Sequence, residues 1–143
     1  MQTALIWRYT RKQAVADGVL IDITEKYGDI CQKFYSDIPI TCSAEVYNNL
    51  LQTVDAVGDT TIEEQIHQLL WFSNNPDSSE FSNNGEFEIA RFLARNLVGQ
   101  PELLATAYYN TDEDRDEIMI TMPAEVLGDA DDDGSYLMPK AEN

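Results

Sequence analysis

The sequence has few of the residues that do catalytic and metal chemistry. Among its 143 residues there is a single histidine and there are only two cysteines. One histidine, His67, excludes a multi-histidine metal site. Cys31 and Cys42 lack the paired Cys-x-x-Cys spacing of a zinc site, and two thiols in a chain read as cytosolic are expected to stay reduced. There is no GxxxxGK[ST] loop, no GxGxxG, no H-E-x-x-H and no G-x-S-x-G, which argues against common nucleotide and hydrolase chemistries. No apolar run approaches the ~20 residues that span a bilayer, and residues 1–7 lack the basic start of a secretory signal. The expectation is a cytoplasmic, non-enzymatic protein with no cofactor.

Basic residues are scarce as well. Nine Lys/Arg stand against 26 Asp/Glu, for a formal net charge of −17. The excess is uneven: residues 1–50 carry a net of −1 and residues 51–143 a net of −16. Phosphate contacts need clustered Lys/Arg, so direct binding to nucleic acid is disfavoured. Such charge says nothing about fold and is compatible with plain solubility, but it also suits a binding face for a basic partner.

The most strongly punctuated stretch is residues 9–24, YTRKQAVADGVLIDIT. Thr10 can cap a short helix. Gly18 stands where a helix-ending residue takes the left-handed conformation. The β-branched run that follows is a strand signal, and Thr24 can cap what comes next. Arg8, Arg11 and Lys12 read as a solvated basic face. Asp17 and Asp22 flank Gly18 and read as turn residues bonding local backbone, with acid–base or magnesium work as the sharper alternative.

The spacing of Tyr9, Thr10, Arg11, Gln13 and Ala14, then Asp17, Gly18, Leu20 and Asp22, resembles a family of small bacterial proteins of unknown function carried on plasmids, phages and other mobile elements. Leu69, Leu70 and Trp71 are similar to a second stretch of that family, and residues 117–123 to a third. The resemblance covers about residues 9–125 and implies a mobile-element origin. It assigns no catalytic residue. Residues 74–84 and the acidic tail depart from the pattern.

Farther along, residues 25–30 suit one or two helical turns, and Pro39 biases Ile38 toward extended backbone. Ser43 caps a helix over residues 44–56, with Val46, Leu50, Val54 and Val57 as its apolar stripe, widened by Leu51. Thr61 and Glu64 form a capping box for the next helix, which buries Ile62, Ile66, Leu69 and Leu70. Residues 74–85 read as loop. Residues 86–93, 103–109 and 116–122 read as strands joined by a hairpin loop at 110–115, with helix an alternative for residues 91–98. After Pro123 the chain reads as tail. Asp129, Asp131, Asp133 and Gly134 match the start of a calcium loop, but position twelve is Lys140 rather than the bidentate Glu, so a solvated, mobile tail without tight metal binding is expected.

Together these signals predict one α+β domain over residues 1–126, a small antiparallel sheet with two or three helices packed on one face, and a tail at 127–143. The function expected on charge and resemblance together is a protein-binding inhibitor of a host defence system, of anti-CRISPR or anti-restriction type. It would occupy a basic nucleic-acid-binding surface with carboxylates in place of phosphates. The candidate contacts are Glu63, Glu64, Glu86, Glu88, Asp112, Glu113, Asp114, Asp116 and Glu117. The alternative is a non-enzymatic accessory or regulatory module of a mobile element, without DNA mimicry. No membrane partner is expected.

Overall fold

A computed structural model describes residues 10–81 and 87–127. The expectations for residues 1–9, for Glu86 and for the tail from residue 128, its calcium-like motif included, lie outside them.

Thr10 caps helix α1 (Arg11–Ala16) in a reciprocal box with Gln13. Gly18, at φ +77°, turns the chain into strand β1 (Leu20–Asp22). Asp22, rather than Thr24, then caps helix α2 (Ile23–Tyr35) through Glu25 N–H at 3.0 Å. Thr24 Oγ1 instead accepts Ile40 N–H at 2.7 Å, tying α2 to strand β2 (Ile40–Ser43). Helix α2 is longer than expected. Tyr27 leaves helical geometry (φ −137°, ψ 45°), which kinks the helix just before Gly28 and blurs its periodicity.

Ser43 caps helix α3 (Ala44–Val57), Gly58 ends it in the left-handed conformation, and the Thr61–Glu64 box opens helix α4 (Ile62–Ser73), all as the local signals predict. The buried stripe of α3 is rotated from the expected one: Val46, Leu50 and Thr53 are buried, whereas Leu51 and Val57 are exposed. Thr53 can face inward because its hydroxyl donates to Asn49 O (2.8 Å) and accepts Val98 N–H (2.9 Å).

Strand β3 (Ser78–Phe81) lies within the expected loop, where four turn-type residues precede a short edge strand. Strands β4 (Phe87–Leu93), β5 (Glu102–Asn110) and β6 (Arg115–Thr121) match the three expected strands, and residues 94–98 are not helical. Helix α5 (Pro123–Leu127) replaces the start of the expected tail and buries Val126.

The domain is α+β. Six strands form one sheet in the order β1-β2-β6-β5-β4-β3. It is mixed rather than wholly antiparallel, because β2 runs parallel to β6, with Ile40 opposite Ile118 and Cys42 opposite Ile120. Alternation along the strands feeds two apolar layers. Ile40, Cys42, Leu103, Ile118 and Ile120 pack with α2, α3 and α4 on one face. Leu20, Ile89, Leu104 and Met119 pack with Ala14 of α1 and Val126 of α5 on the other. Three helices on one face agree with the expectation; the thin second layer of α1 and α5 was not foreseen.

Candidate functional site

The residues of the opening motif hold the fold together. Arg11 reaches from α1 onto the sheet. Its Nη2 donates to Asp22 Oδ2 at 3.0 Å, and its Nε lies 3.0 Å from Glu117 Oε1 as an ion pair, without the alignment of a hydrogen bond. Glu117, on β6, is 1% exposed. It also accepts from Tyr108 Oη at 2.9 Å and from Arg115 Nε at 2.8 Å. Burial, followed by the Glu117 charge and the hydrogen bond to it, drives the Tyr108 hydroxyl far above its ordinary pKa, so it acts as a neutral donor. Gln13 closes the α1 cap, Ala14 is buried, Gly18 makes the turn and Asp22 caps α2. Glu117 is therefore not a surface contact, and Arg11 does not belong to a solvated face. Their charges meet across a long stretch of chain, which local spacing could not show.

The β5–β6 hairpin is where exposed acids gather. Asn110 Oδ1 accepts the N–H groups of Asp112 (3.0 Å) and Glu113 (3.2 Å), which folds the loop back on itself. Asp114 completes the turn at φ +55°, a conformation Asp tolerates better than most residues. Asp112, Glu113, Asp114 and Asp116 are exposed. The one cation among them, Arg115, is committed to Glu117 at 2.8 Å and to Glu113 at 3.4 Å. Glu88 is exposed on β4. It pairs with Ala107, while Asp116 pairs with Tyr109, so by alternation Glu88, Ala107, Tyr109 and Asp116 share the face that carries α2, α3 and α4.

Glu63 and Glu64 stand apart from this group, on the first turn of α4, which packs on α2, α3 and β4. Glu64 Oε1 accepts Thr61 N–H (2.8 Å) and the Thr60 hydroxyl (3.1 Å), and these bonds hold its carboxyl below the ordinary range. Its charge supports the helix start. Both acids border a shallow depression of about 410 Å³ with Ile30, Lys33, His67 and Gln68. His67 stacks edge-on against Phe34 at 5.0 Å, which gives the lone histidine a packing role.

A second groove, of about 660 Å³, separates α1 from the hairpin and is bordered by Arg11, Lys12, Val15, Asn110, Asp112 and Glu113. Cys31 and Cys42 are free and buried. Among the described residues, no three His, Cys, Asp or Glu side chains are placed to hold a metal ion, and no helix is long and apolar enough to cross a membrane.

Sequence reasoning missed Tyr108, Tyr109 and Arg115. Extending the alternation of residues 102–110 from Leu103 and Leu104 outward would have assigned Tyr108 and Tyr109 to opposite faces. Fold and site together define a small α+β domain with an acidic hairpin end. No protein-family model, curated protein or solved structure matches the chain.

Proposed function

We propose that the protein is an acidic, protein-binding inhibitor from a phage or plasmid. It blocks a bacterial defence system of anti-CRISPR or anti-restriction type by occupying a basic nucleic-acid-binding surface. It works by binding alone, in the cytoplasm of the host, without catalysis or cofactor.

One observation carries this reading. Asp112, Glu113, Asp114, Asp116 and Glu88 are exposed at one end of the sheet, and the single arginine among them, Arg115, is shared between Glu117 and Glu113. Unbalanced carboxylates on a rigid two-stranded support suit the guanidinium and ammonium groups that line phosphate-binding surfaces. Glu117, being buried, belongs to the support. Glu63 is a secondary candidate, and Glu64 is engaged in its own helix cap. The resemblance to mobile-element proteins agrees with this origin.

The test is capture of a partner from bacterial lysate at low and high salt, followed by competition with DNA. Replacing Asp112, Glu113, Asp114 and Asp116 by Asn or Gln should slow association and flatten its salt dependence. A partner that binds the protein and DNA at once, with no effect of salt, would instead identify an accessory module whose acids serve solubility.

A further inference from the structure

The hairpin end of the sheet carries more than charge. The pairings place Tyr109 opposite Asp116 and Ala107 opposite Glu88, all on the face that carries the three larger helices. Directly paired side chains stand about 5 Å apart at Cβ, and neighbours along one strand face lie two residues apart. Helices α2, α3 and α4 contact β1, β2, β4 and β6, yet at this end Tyr109 is 48% exposed, and Glu88 and Asp116 are exposed as well.

Ala107 is the small residue in that strip. It is half-buried and packed against the core, beside Tyr109 on its own strand, with Glu88 and Ile118 directly across its two pairings and Asp116 on the diagonal. An exposed tyrosine between two carboxylates suits one side chain in stacking surface and in charge. A guanidinium placed among these side chains can stack on the Tyr109 ring and meet carboxylates from the two neighbouring strands. An ammonium has no plane to stack, and its hydration shell is held more tightly.

We infer that this strip is a docking site for an arginine-bearing segment of a partner protein, with Tyr109 as its anchor and the carboxylates of Glu88 and Asp116 as its charge partners. This docking site presupposes the basic partner proposed above and specifies where and by what chemistry the partner is held. The carboxylates of the hairpin loop steer approach, whereas Tyr109, Glu88 and Asp116 make the contact. Exposed tyrosines and arginines dominate the energetics of many interfaces, so one residue at the centre outweighs the acids around it.

The probes are a ten-residue peptide of alternating arginine and glycine and its lysine–glycine counterpart, titrated by calorimetry at low salt. The arginine peptide should bind several-fold more tightly than the lysine peptide. Tyr109→Ala should weaken arginine-peptide binding on the order of tenfold or more. Tyr109→Phe should retain it. Asp55→Asn, at an exposed acid of α3, should leave it unchanged. Circular dichroism melts check that each variant is folded. Equal binding of the two peptides with no effect of Tyr109→Ala, or no binding of either peptide, would overturn the docking site. Those results leave the proposed inhibitor to its own test, capture and DNA competition. A loss on Glu63→Gln with none on Tyr109→Ala would also overturn the docking site, moving the contact to α4 while preserving a basic partner.

Discussion

Arg11 Nη2 lies 3.0 Å from Asp22 Oδ2, and the chain between them, helix α1, the Gly18 turn and strand β1, closes into a loop on that one contact. The same guanidinium then reaches Glu117 on β6. The first unit of the chain is thus tied to the last strand by a cation whose side chain is only 10% exposed.

Removing that cation should be costly. Arg11→Gln leaves Glu117 buried with one fewer positive partner, and breaking a buried pair from one side costs about 3 kcal/mol or more. Urea unfolding should show this as a lower midpoint with an unchanged slope. Asp22→Asn should cost less, because Asp22 is 20% exposed and asparagine caps a helix nearly as well.

Gly18→Ala tests the turn itself. At φ +77° a Cβ at Gly18 meets no atom within 4 Å, so its cost is conformational and not steric. A loss of about 1 kcal/mol is expected, read as a fall in the thermal midpoint.

Stability should depend on Glu125 with a definite sign. Its carboxyl accepts from Ser43 Oγ and from Met122 N–H, both at 2.7 Å, but burial raises its pKa above the ordinary 4.5. The folded state therefore holds the proton more tightly than the unfolded chain. The contribution is fully present below pH 4.5 and is lost as pH rises through the raised folded value. Glu125→Gln keeps an acceptor oxygen and cannot ionise. The variant should gain stability relative to wild type at neutral pH, and the gap should close as pH falls toward 4.5. Denaturant titrations across that range measure it.

The two thiols should be silent in the native protein. Cys31 and Cys42 are 1% and 0% exposed, and burial raises the pKa of both. Thiolate is the reactive form, so a thiol reagent should label neither residue until urea unfolds the chain, and then both.

Three hydroxyls should be dispensable. Thr41, Thr106 and Thr121 are buried on the α1 side of the sheet, and their Oγ1 atoms make no hydrogen bond. Valine has the same shape and no polar group to desolvate. Each Thr→Val replacement should be neutral or stabilising by thermal melt.

What could be read from the sequence was local. Ser43, Gly58, Thr61 and Glu64 announce the ends of α3 and α4 because a cap and the backbone it bonds lie within three or four residues. The Gly18 turn and the last three strands follow from equally short-range signals. The pairing of β2 with β6 was not legible, since nothing near Ile40 points to Ile118. Glu117 resembled its exposed neighbours in composition and differed only in facing Arg11. Helix α5 has a local cue as well: proline favours the first helical position, and Pro123 occupies it. Tyr109 and Asp116 emerged as a unit only once register was known.

The place of β2 has a consequence for synthesis on the ribosome. Strand β2 is flanked by β1, made just before it, and by β6, made long after it. As the nascent chain emerges, β1, α2, β2, α3 and α4 are all available while one side of β2 still has no neighbour. The hydrogen-bonding edge of Ile40–Ser43 stays open until Arg115–Thr121 leaves the exit tunnel. An open strand edge is a template for pairing with another chain, so the first half of the protein is most exposed to misassembly during translation. The domain closes only when its final strand arrives between β2 and β5.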